Sequence, residues 1–292
     1  MSAGIKTALI RISGGLGNQL FQLSAMLYAT RQSPGVKVWL DTRFLDKYET
    51  VRSFEAGFVV THLQGLVIAQ SSLGMAGLIS RLRVAKLLNT AFAGHACIGS
   101  TDRLKQLQGE RCSWLVLDGY FQHPDLALPT SDRQNLFSKL SIEFSYLLER
   151  VPSASGLPRV AIHIRRGDFV TSKAASTVFK TIRLEYYRAA IKRFSPDSVF
   201  FVFGDDLEMT SAFAKEIGGV DVPSLDLSLK EDFMLMALCD HYIIANSTFS
   251  WWAAYLGQSD SKRVISPRQW YVDLRRSKEN PLLLPYFELL DS

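Results

Sequence analysis

Charged residues gather at the end of one apolar segment. Residues 160–168 read Val-Ala-Ile-His-Ile-Arg-Arg-Gly-Asp, which predicts a buried strand over 160–165. Alternate residues of a strand face opposite sides, so His163 and Arg165 share one face. Adjacent arginines suit a diphosphate, because guanidinium groups donate forked, charge-assisted hydrogen bonds. The cluster of His163, Arg165, Arg166 and Asp168 therefore predicts an anion site, with a surface salt-bridge cluster as the alternative.

Carboxylates follow a second apolar run. Residues 200–206 read Phe-Phe-Val-Phe-Gly-Asp-Asp, and a helix is predicted over 207–217. Asp205 and Asp206 could accept hydrogen bonds from guanine N–H groups or ribose hydroxyls, or cap the helix, and one could do each. Asp232, near the start of a helix predicted over 230–239, could likewise cap that helix or reach a ribose.

A third strand-to-helix junction is rich in hydroxyl groups. Residues 243–252 read Ile-Ile-Ala-Asn-Ser-Thr-Phe-Ser-Trp-Trp. Because the unpaired amides of a helix N-terminus attract anions, this turn predicts phosphate contacts. The candidate binding residues are Asn246, Ser247, Thr248, Phe249 and Ser250. The aromatic residues that follow, Trp251, Trp252 and Tyr255, are predicted to pack in the core.

A glycine-rich loop lies near the start of the chain. Gly14-Gly15-Leu16-Gly17-Asn18-Gln19 joins a strand predicted over 7–12 to a helix predicted over 20–31. Glycines let backbone approach a ligand closely. The loop is not a dinucleotide fingerprint, because Leu20 holds the third glycine position, and no Gly-Lys-Ser/Thr makes it a P-loop. Gly15, Gly17, Asn18 and Gln19 are the candidate ligand residues, and a tight turn without function is the alternative.

Strands and helices alternate along the second half of the chain. The predicted elements are strands 160–165, 199–203, 241–245 and 263–266 and helices 183–194, 207–217, 230–239 and 249–256. Such alternation predicts an α/β fold with a parallel sheet. Residues 152–158 contain two prolines and small residues and read as a linker. We therefore predict domains over 1–155 and 156–292, with a tail that packs back on the first domain as a further expectation.

Composition narrows the choice of partners. The 292 residues carry a net charge of +5, a mild excess that favours anionic ligands without indicating nucleic acid. Three scattered cysteines favour a reducing compartment. No histidine pair has zinc-ligand spacing and no Asp-x-Asp triplet offers a divalent ion a seat, so no metal is expected. We expect a cytoplasmic protein that could contact the inner membrane peripherally. At 73–92 a core-facing helix is favoured over a membrane-surface helix.

These motifs together resemble the bacterial α-1,2-fucosyltransferases of glycosyltransferase family 11. The matching segments occur in the family's order, at 14–22, 163–168, 203–206 and 245–252. The resemblance implies a GT-B arrangement of two Rossmann-like domains that face a cleft. It also implies GDP-β-L-fucose as donor, a galactose-terminated acceptor, inversion at the anomeric carbon, a role in O-antigen or other glycan synthesis, and neither metal nor other cofactor. The departures from the common pattern are Gly204, where Ser is frequent, and Ala253, where Gly is frequent.

The resemblance implies roles for individual residues. Arg165 would hold the diphosphate, His163 and the 205–206 edge would approach the guanosine, and the 247–250 turn would bind the phosphates. Asp168 is the candidate general base, although orienting the arginines is an equal alternative. Asn18 is the candidate catalytic residue of the first domain, which would serve the acceptor. Rival functions are a fucosyltransferase of α-1,6-like linkage, a nucleotide-dependent oxidoreductase and a non-catalytic glycan- or nucleotide-binding module.

Overall fold

The chain folds as two α/β units. The computed structural model describes residues 5–31, 33, 35–43, 45, 52–63, 67–70, 95–98, 100–106, 114–151, 156–166 and 173–292. The units comprise residues 1–129 and 130–292, so their boundary lies before the predicted linker. The sequence placed residues 130–155 in the first domain, but the helices found there, at 130–143 and 146–149, group with the second unit. Asp168 and the helix predicted over 73–92 lie outside the described residues.

The first unit is built on a parallel sheet. Its strands are β1 (Thr7–Arg11), β2 (Lys37–Asp41), β3 (Val67–Gln70), β4 (His95–Ile98) and β5 (Trp114–Leu117), in the order β3-β2-β1-β5-β4. Its helices are α1 (Leu16–Thr30), α2 (Gly57–Val60) and α3 (Thr101–Gln106). Strands β3 and β4 were not predicted, and α1 begins four residues earlier than predicted, inside the glycine-rich motif. Gly17, Asn18 and Gln19 are therefore helical rather than loop residues.

The second unit carries the other parallel sheet. Its strands are β6 (Arg159–Ile164), β7 (Val199–Gly204), β8 (Val220–Asp221), β9 (His241–Ile243), β10 (Val264–Pro267) and β11 (Glu288–Leu290). Its helices are α4 (Thr130–Glu143), α5 (Tyr146–Glu149), α6 (Lys173–Val178), α7 (Leu184–Ile191), α8 (Leu207–Ile217), α9 (Leu229–Ala237), α10 (Thr248–Leu256) and α11 (Leu274–Lys278). These elements confirm the predicted alternation, and α6, α11, β8 and β11 are additional to the predicted elements.

The strand order of the second sheet creates a crevice at one place. The order is β11-β10-β9-β6-β7-β8, and the direction in which the chain adds strands reverses between β6 and β9. Loops that follow these two neighbouring strands leave in opposite directions, which is where open α/β sheets bind ligands. The arginine motif follows β6, and the hydroxyl-rich turn follows β9. Two of the predicted motifs thus meet at the switch point of one sheet.

The core of the second unit holds this edge rigid. Alternate residues of β6, namely Val160, Ile162 and Ile164, are fully buried and belong to an apolar cluster that includes Tyr186 and Tyr187 of α7. The Tyr186 hydroxyl donates to the carbonyl oxygen of Ile244, just after β9, at 2.9 Å and to that of Ile265 in β10 at 3.1 Å. Strand β11 pairs in parallel with β10. Residues 288–290 of the tail therefore complete the second sheet.

Candidate active site

An ion pair joins the ends of strands β6 and β7. Nη1 of Arg165 lies 2.8 Å from Oδ2 of Asp205. The other carboxylate oxygen of Asp205 accepts the backbone N–H of Arg166 at 2.8 Å. Both oxygens thus hold groups of the arginine motif, and charge-assisted bonds of this kind fix direction as well as distance. Asp205 thus orients the arginines, a role that the sequence analysis did not assign to it.

Asp206 has the other role that the sequence left open. Its Oδ1 accepts the backbone N–H of Met209 at 3.1 Å, so it is the N-cap of α8. An N-cap carboxylate satisfies one of the helix's free amides and is favoured by the helix dipole. The two adjacent carboxylates therefore have different roles. Asp205 binds the arginines, and Asp206 caps α8.

His163 is a buried, uncharged imidazole beside the ion pair. The residue is 5% exposed, and its ring centroid lies 5.6 Å from that of Phe249. Burial and the charge of Arg165 lower its pKa to about 4, against the opposing charge of Asp205. Nδ1 is buried and has no hydrogen-bond partner within the described part of the chain. A neutral ring with an unused nitrogen is suited to hydrogen-bond a ligand.

The hydroxyl-rich turn forms the N-terminus of α10. Ser247 is the N-cap, and its Oγ accepts the N–H of Phe249 at 3.3 Å. Ser250 is fully buried, and its hydroxyl donates to the Ser247 carbonyl at 3.3 Å, so it shapes the turn instead of facing a ligand. Ser247, Thr248 and Phe249 are partly exposed. The turn presents a helix N-terminus at the switch point, and Trp251 and Trp252 are buried as predicted.

Asn246 stabilises this region from within. Its side-chain amide donates to the carbonyl oxygens of Lys180 and Trp270, at 2.8 and 2.9 Å. The residue is 2% exposed, and its amide thereby joins three loops at the strand ends. The assignment of Asn246 to donor binding stays a prediction, because its Oδ1 is buried without a hydrogen-bond partner among the described residues. Its amide N–H groups also form a structural bridge. The sequence could not show this, because both partners are backbone atoms distant along the chain.

Asp232 does not cap its helix. The N-cap of α9 is Ser228, whose N–H donates to Glu231 Oε2 at 2.9 Å and whose hydroxyl contacts the same oxygen. Burial and the charge of Glu231 raise the pKa of Asp232 to about 7. The next residue, Phe233, packs edge-on against Phe249 at 5.4 Å. With its capping alternative excluded, Asp232 is left as a half-buried carboxyl on the helix that supports Phe249.

Tyr187 is a site residue that the sequence analysis missed. It is fully buried on α7, and its hydroxyl faces the backbone of Arg165 and the charges of Arg166 and Asp205. Burial raises the pKa of its hydroxyl above the ordinary value of a tyrosine. Its neighbour Tyr186 packs against it edge-on at 4.9 Å. Two consecutive buried tyrosines supporting one strand end were a signal available in the sequence.

In the first unit, Gln19 is fully engaged by backbone. Its Nε2 donates to the carbonyls of Gly14 and Ser53, both at 2.9 Å, and its Oε1 accepts the N–H groups of Glu55 and Ala56, at 2.8 and 3.1 Å. The side chain is completely buried. The structure contradicts the prediction that Gln19 contacts a ligand, because three of its four hydrogen bonds hold the loop at 53–56 and the fourth holds Gly14.

A carboxylate occupies the N-terminus of α1. The Glu55 carboxyl lies beside the backbone N–H of Leu16, and burial raises the pKa of this carboxyl despite the nearby charge of Arg52. Gly15, the N-cap, has no Cβ, and one placed there would lie 3.7 Å from Glu55 Oε2. A Rossmann phosphate binds at such a terminus. In this chain the protein's own carboxylate is already there, so the glycine-rich loop is not free to hold a diphosphate.

Asn18 lies in the first turn of α1. It is partly exposed, and its Oδ1 accepts Nε2 of Gln122 at 2.7 Å. Gly14 has a φ of 73°, and a Cβ there would meet Asn18 Nδ2 at 2.5 Å. Glycine is thus required at this position for conformation and for space.

Within the described ranges there is no cluster of three metal-ligating side chains, and no helix long and apolar enough to cross a membrane.

Comparison with known proteins assigns this site to a family. Residues 92–285 match the model of glycosyl transferase family 11. The chain belongs to glycosyltransferase family 11. It is 29% identical over 297 residues to the O-antigen biosynthesis glycosyltransferase WbnK of Escherichia coli, with 91% of this chain and 96% of that protein covered. It is 28% identical over 281 residues to an α-1,2-colitosyltransferase of Escherichia coli, with 89% and 91% covered.

Family membership settles two of the earlier predictions. This glycosyltransferase is an enzyme, so the oxidoreductase and the non-catalytic binding module are set aside. Its fold is similar to a solved structure of a mutant of Arabidopsis thaliana FUT1 in complex with GDP. The TM-score is 0.52 at 12% identity, with 89% of this chain and 70% of that chain covered. The predicted GT-B class of the fold is confirmed, with a doubly wound parallel sheet in each unit.

Proposed function

We propose that this glycosyltransferase transfers L-fucose from GDP-β-L-fucose to the 2-hydroxyl of a galactosyl acceptor, forming an α-1,2 linkage with inversion. The observation that carries the proposal is the Arg165–Asp205 ion pair at 2.8 Å. Arg165 follows β6, and β6 neighbours β9, the strand that leads to the N-terminus of α10. A guanidinium held by a carboxylate and an adjacent helix terminus together complement a diphosphate.

In this proposal the leaving group is stabilised by groups that are already in place. The bond between the fucose anomeric carbon and the β-phosphate oxygen breaks, and the acceptor oxygen forms the new bond to that carbon. Negative charge grows on the departing GDP, and Arg165 and the backbone N–H groups of the 247–250 turn would stabilise it. Such preorganised donors lower the barrier because they need no rearrangement during the reaction.

Two side chains of the second unit would contact the nucleoside. The unused Nδ1 of His163 and the carboxyl of Asp232 are suited to hydrogen-bond the guanine or the ribose. His163 packs against Phe249, and so does Phe233, the residue that follows Asp232. Asp205 contributes indirectly, by holding Arg165.

The acceptor hydroxyl must lose a proton to a base or to water. Asp168, two residues beyond the arginines, remains the proposed base, with orientation of the arginines as its alternative role. Asn18 on the first unit is proposed to orient the acceptor, because it is polar, partly exposed and held by Gln122. General-base assistance of this kind typically contributes a factor of about 10² to 10⁴ in rate.

A second donor deserves the same test. One relative of this chain is an α-1,2-colitosyltransferase. Colitose is L-fucose without its 3-hydroxyl. A binding site for GDP-colitose therefore differs from one for GDP-fucose only in the contacts to that hydroxyl. O-antigen synthesis is the proposed setting, in line with the relative WbnK.

The decisive experiment offers GDP-fucose and GDP-colitose with a panel of galactosides. We expect GDP release that depends on acceptor, and a product in which nuclear magnetic resonance assigns an α linkage to the galactose 2-hydroxyl. Product with another linkage would refute the α-1,2 assignment, and faster turnover of GDP-colitose would reassign the donor. Acceptor-independent release alone would indicate hydrolysis and contradict the transfer reaction.

A further inference from the structure

Gly204 ends β7 immediately before the carboxylate that holds Arg165. A Cβ placed on this glycine would overlap Oγ1 of Thr210 and would come within 3.0 Å of the Ile164 carbonyl oxygen. The space that a side chain at 204 would take is therefore already filled by the hydroxyl of a residue on α8. Gly204 does not have a positive φ, so its conformation does not require glycine. Glycine is needed here only because there is no space for a Cβ.

Thr210 is fastened on its other side to the first turn of α8. Its hydroxyl donates to the carbonyl oxygen of Asp206 at 2.6 Å, and its N–H donates to the same oxygen at 2.9 Å. The residue is completely buried. A threonine that bonds four residues back ordinarily stabilises a helix little. Its contact with Gly204 gives this hydroxyl a second task, because it sets how closely the strand end approaches the helix.

Asp205 lies between the two contact points. Gly204 precedes it and Asp206 follows it, and both touch Thr210. In the sheet register Ile164 is opposite Gly204, so the residues that follow them, Arg165 and Asp205, are brought together. A shift of a few tenths of an ångström at Gly204 is therefore transmitted to the Arg165–Asp205 pair.

We propose that Thr210 is a positioning residue, whose hydroxyl fits against Gly204 and thereby sets the direction of Asp205 and Arg165. The inference deepens the proposed function, on which it rests for the role of Arg165 in holding the donor diphosphate. Thr210 itself does not touch substrate. It acts through the strand end.

The first test measures GDP affinity by calorimetry in the wild type and four variants. Because the added methyl overpacks a filled space, Gly204→Ala should weaken GDP binding about tenfold. Thr210→Ala should weaken it less, and Gly204→Ala combined with Thr210→Ala should bind better than Gly204→Ala alone, since the hydroxyl that collides is gone. The matched control is Gly57→Ala, where a Cβ meets only ordinary contacts at 3.8 Å, and its affinity should equal that of the wild type.

A double-mutant cycle separates positioning from general loss of structure. In an Arg165→Ala background, Gly204→Ala should have little further effect on GDP affinity, because the group through which it acts is absent. Additive effects would overturn the inference, as would a Gly204→Ala protein that binds GDP like the wild type. A double variant that binds no better than Gly204→Ala would also overturn it.

Thermal unfolding shows whether each variant is folded, so that a loss of GDP affinity is not mistaken for a loss of structure. If Gly204→Ala does not fold, the test passes to Thr210→Ser and Thr210→Ala. The serine keeps the hydroxyl and should retain wild-type affinity, whereas the alanine should lose it about threefold. Equal affinities of both variants with the wild type would refute the inference. A wild type that does not bind GDP at all would instead refute the donor assignment, and this inference with it.

Discussion

Arg165 and Asp205 face each other because their strands are in register. His163 is paired with Phe203 and Ile164 with Gly204 in the parallel ladder of β6 and β7, so the next residue of each strand meets the other at 2.8 Å. The pair is a product of sheet geometry, and removing either member leaves the other partly buried without its counter-charge.

Replacing Arg165 tests the donor site. Arg165→Ala should lower kcat about a hundredfold, roughly 3 kcal/mol of transition-state stabilisation, because the developing charge on GDP loses a preorganised donor. The measurement is steady-state turnover together with thermal unfolding. The matched control is Arg188→Ala, which breaks an exposed pair with Glu216 at 2.7 Å and should leave turnover unchanged. Near-normal turnover of a folded Arg165→Ala protein would contradict the assignment.

Chelation tests the metal-free mechanism. We predict full activity in excess EDTA, since cationic side chains and helix amides supply the stabilisation that a divalent ion gives in other enzymes. Initial rates with EDTA, and after addition of Mg²⁺ or Mn²⁺, provide the measurement. Loss of activity that either ion restores would show that the mechanism needs a metal.

A single amide substitution separates the two roles proposed for Asp168. If Asp168 is the base, Asp168→Asn should reduce turnover strongly and leave GDP affinity nearly unchanged, because an amide keeps the shape but accepts no proton. If it orients the arginines, affinity and turnover should fall together. Calorimetry beside kinetics distinguishes these cases, and full activity would exclude both roles.

The carboxyl of Asp232 should make GDP binding depend on pH. Its pKa is raised to about 7, and accepting hydrogen bonds from the nucleoside requires the ionised form. Affinity should therefore fall about tenfold from pH 8 to pH 6. The terminal phosphate of GDP titrates in the same range, so the measurement is the difference from Asp232→Asn, whose profile should be flatter. Identical profiles would remove Asp232 from the nucleoside site.

The stability of the free protein should respond to pH with the opposite sign. A raised carboxyl pKa means that burial of Asp232 favours the protonated form, so its contribution to stability is present at low pH and is lost as the pH rises through about 7. Asp232→Asn should remove this loss. Unfolding midpoints across this range, without nucleotide, provide the check.

Gln19 provides a test of a corrected prediction. Gln19→Ala removes four hydrogen bonds to backbone and leaves buried partners unsatisfied, so it should destabilise the protein by about 2 to 4 kcal/mol. GDP affinity of the folded fraction should stay at the wild-type value, because the residue lies in the first unit. Denaturant unfolding and calorimetry measure the two quantities. Unchanged stability with a raised acceptor KM would restore the original interpretation of Gln19 as a ligand contact.

The sequence by itself determined the class of fold and the location of the chemistry. Alternating apolar strands and amphipathic helices fixed the parallel sheet of residues 159–292, because such patterns are local and repeat along the chain. The family motifs were equally local. His163 lies in β6, and Arg165 and the 247–250 turn come after β6 and β9. Both strands are recognisable without tertiary information, and the carboxyl ends of parallel strands must share one edge.

Tertiary structure decided what each polar side chain does there. Asp205 and Asp206 are adjacent in sequence and chemically identical, and only the register of β6 with β7 and the start of α8 gives one to Arg165 and the other to a helix cap. Gln19 looked like a ligand residue, but its side chain is engaged by backbone atoms, three of them in a loop that is distant along the chain. Side-chain function depends on which partner satisfies each hydrogen-bonding group, and that partner is set by long-range packing, which a local pattern does not contain.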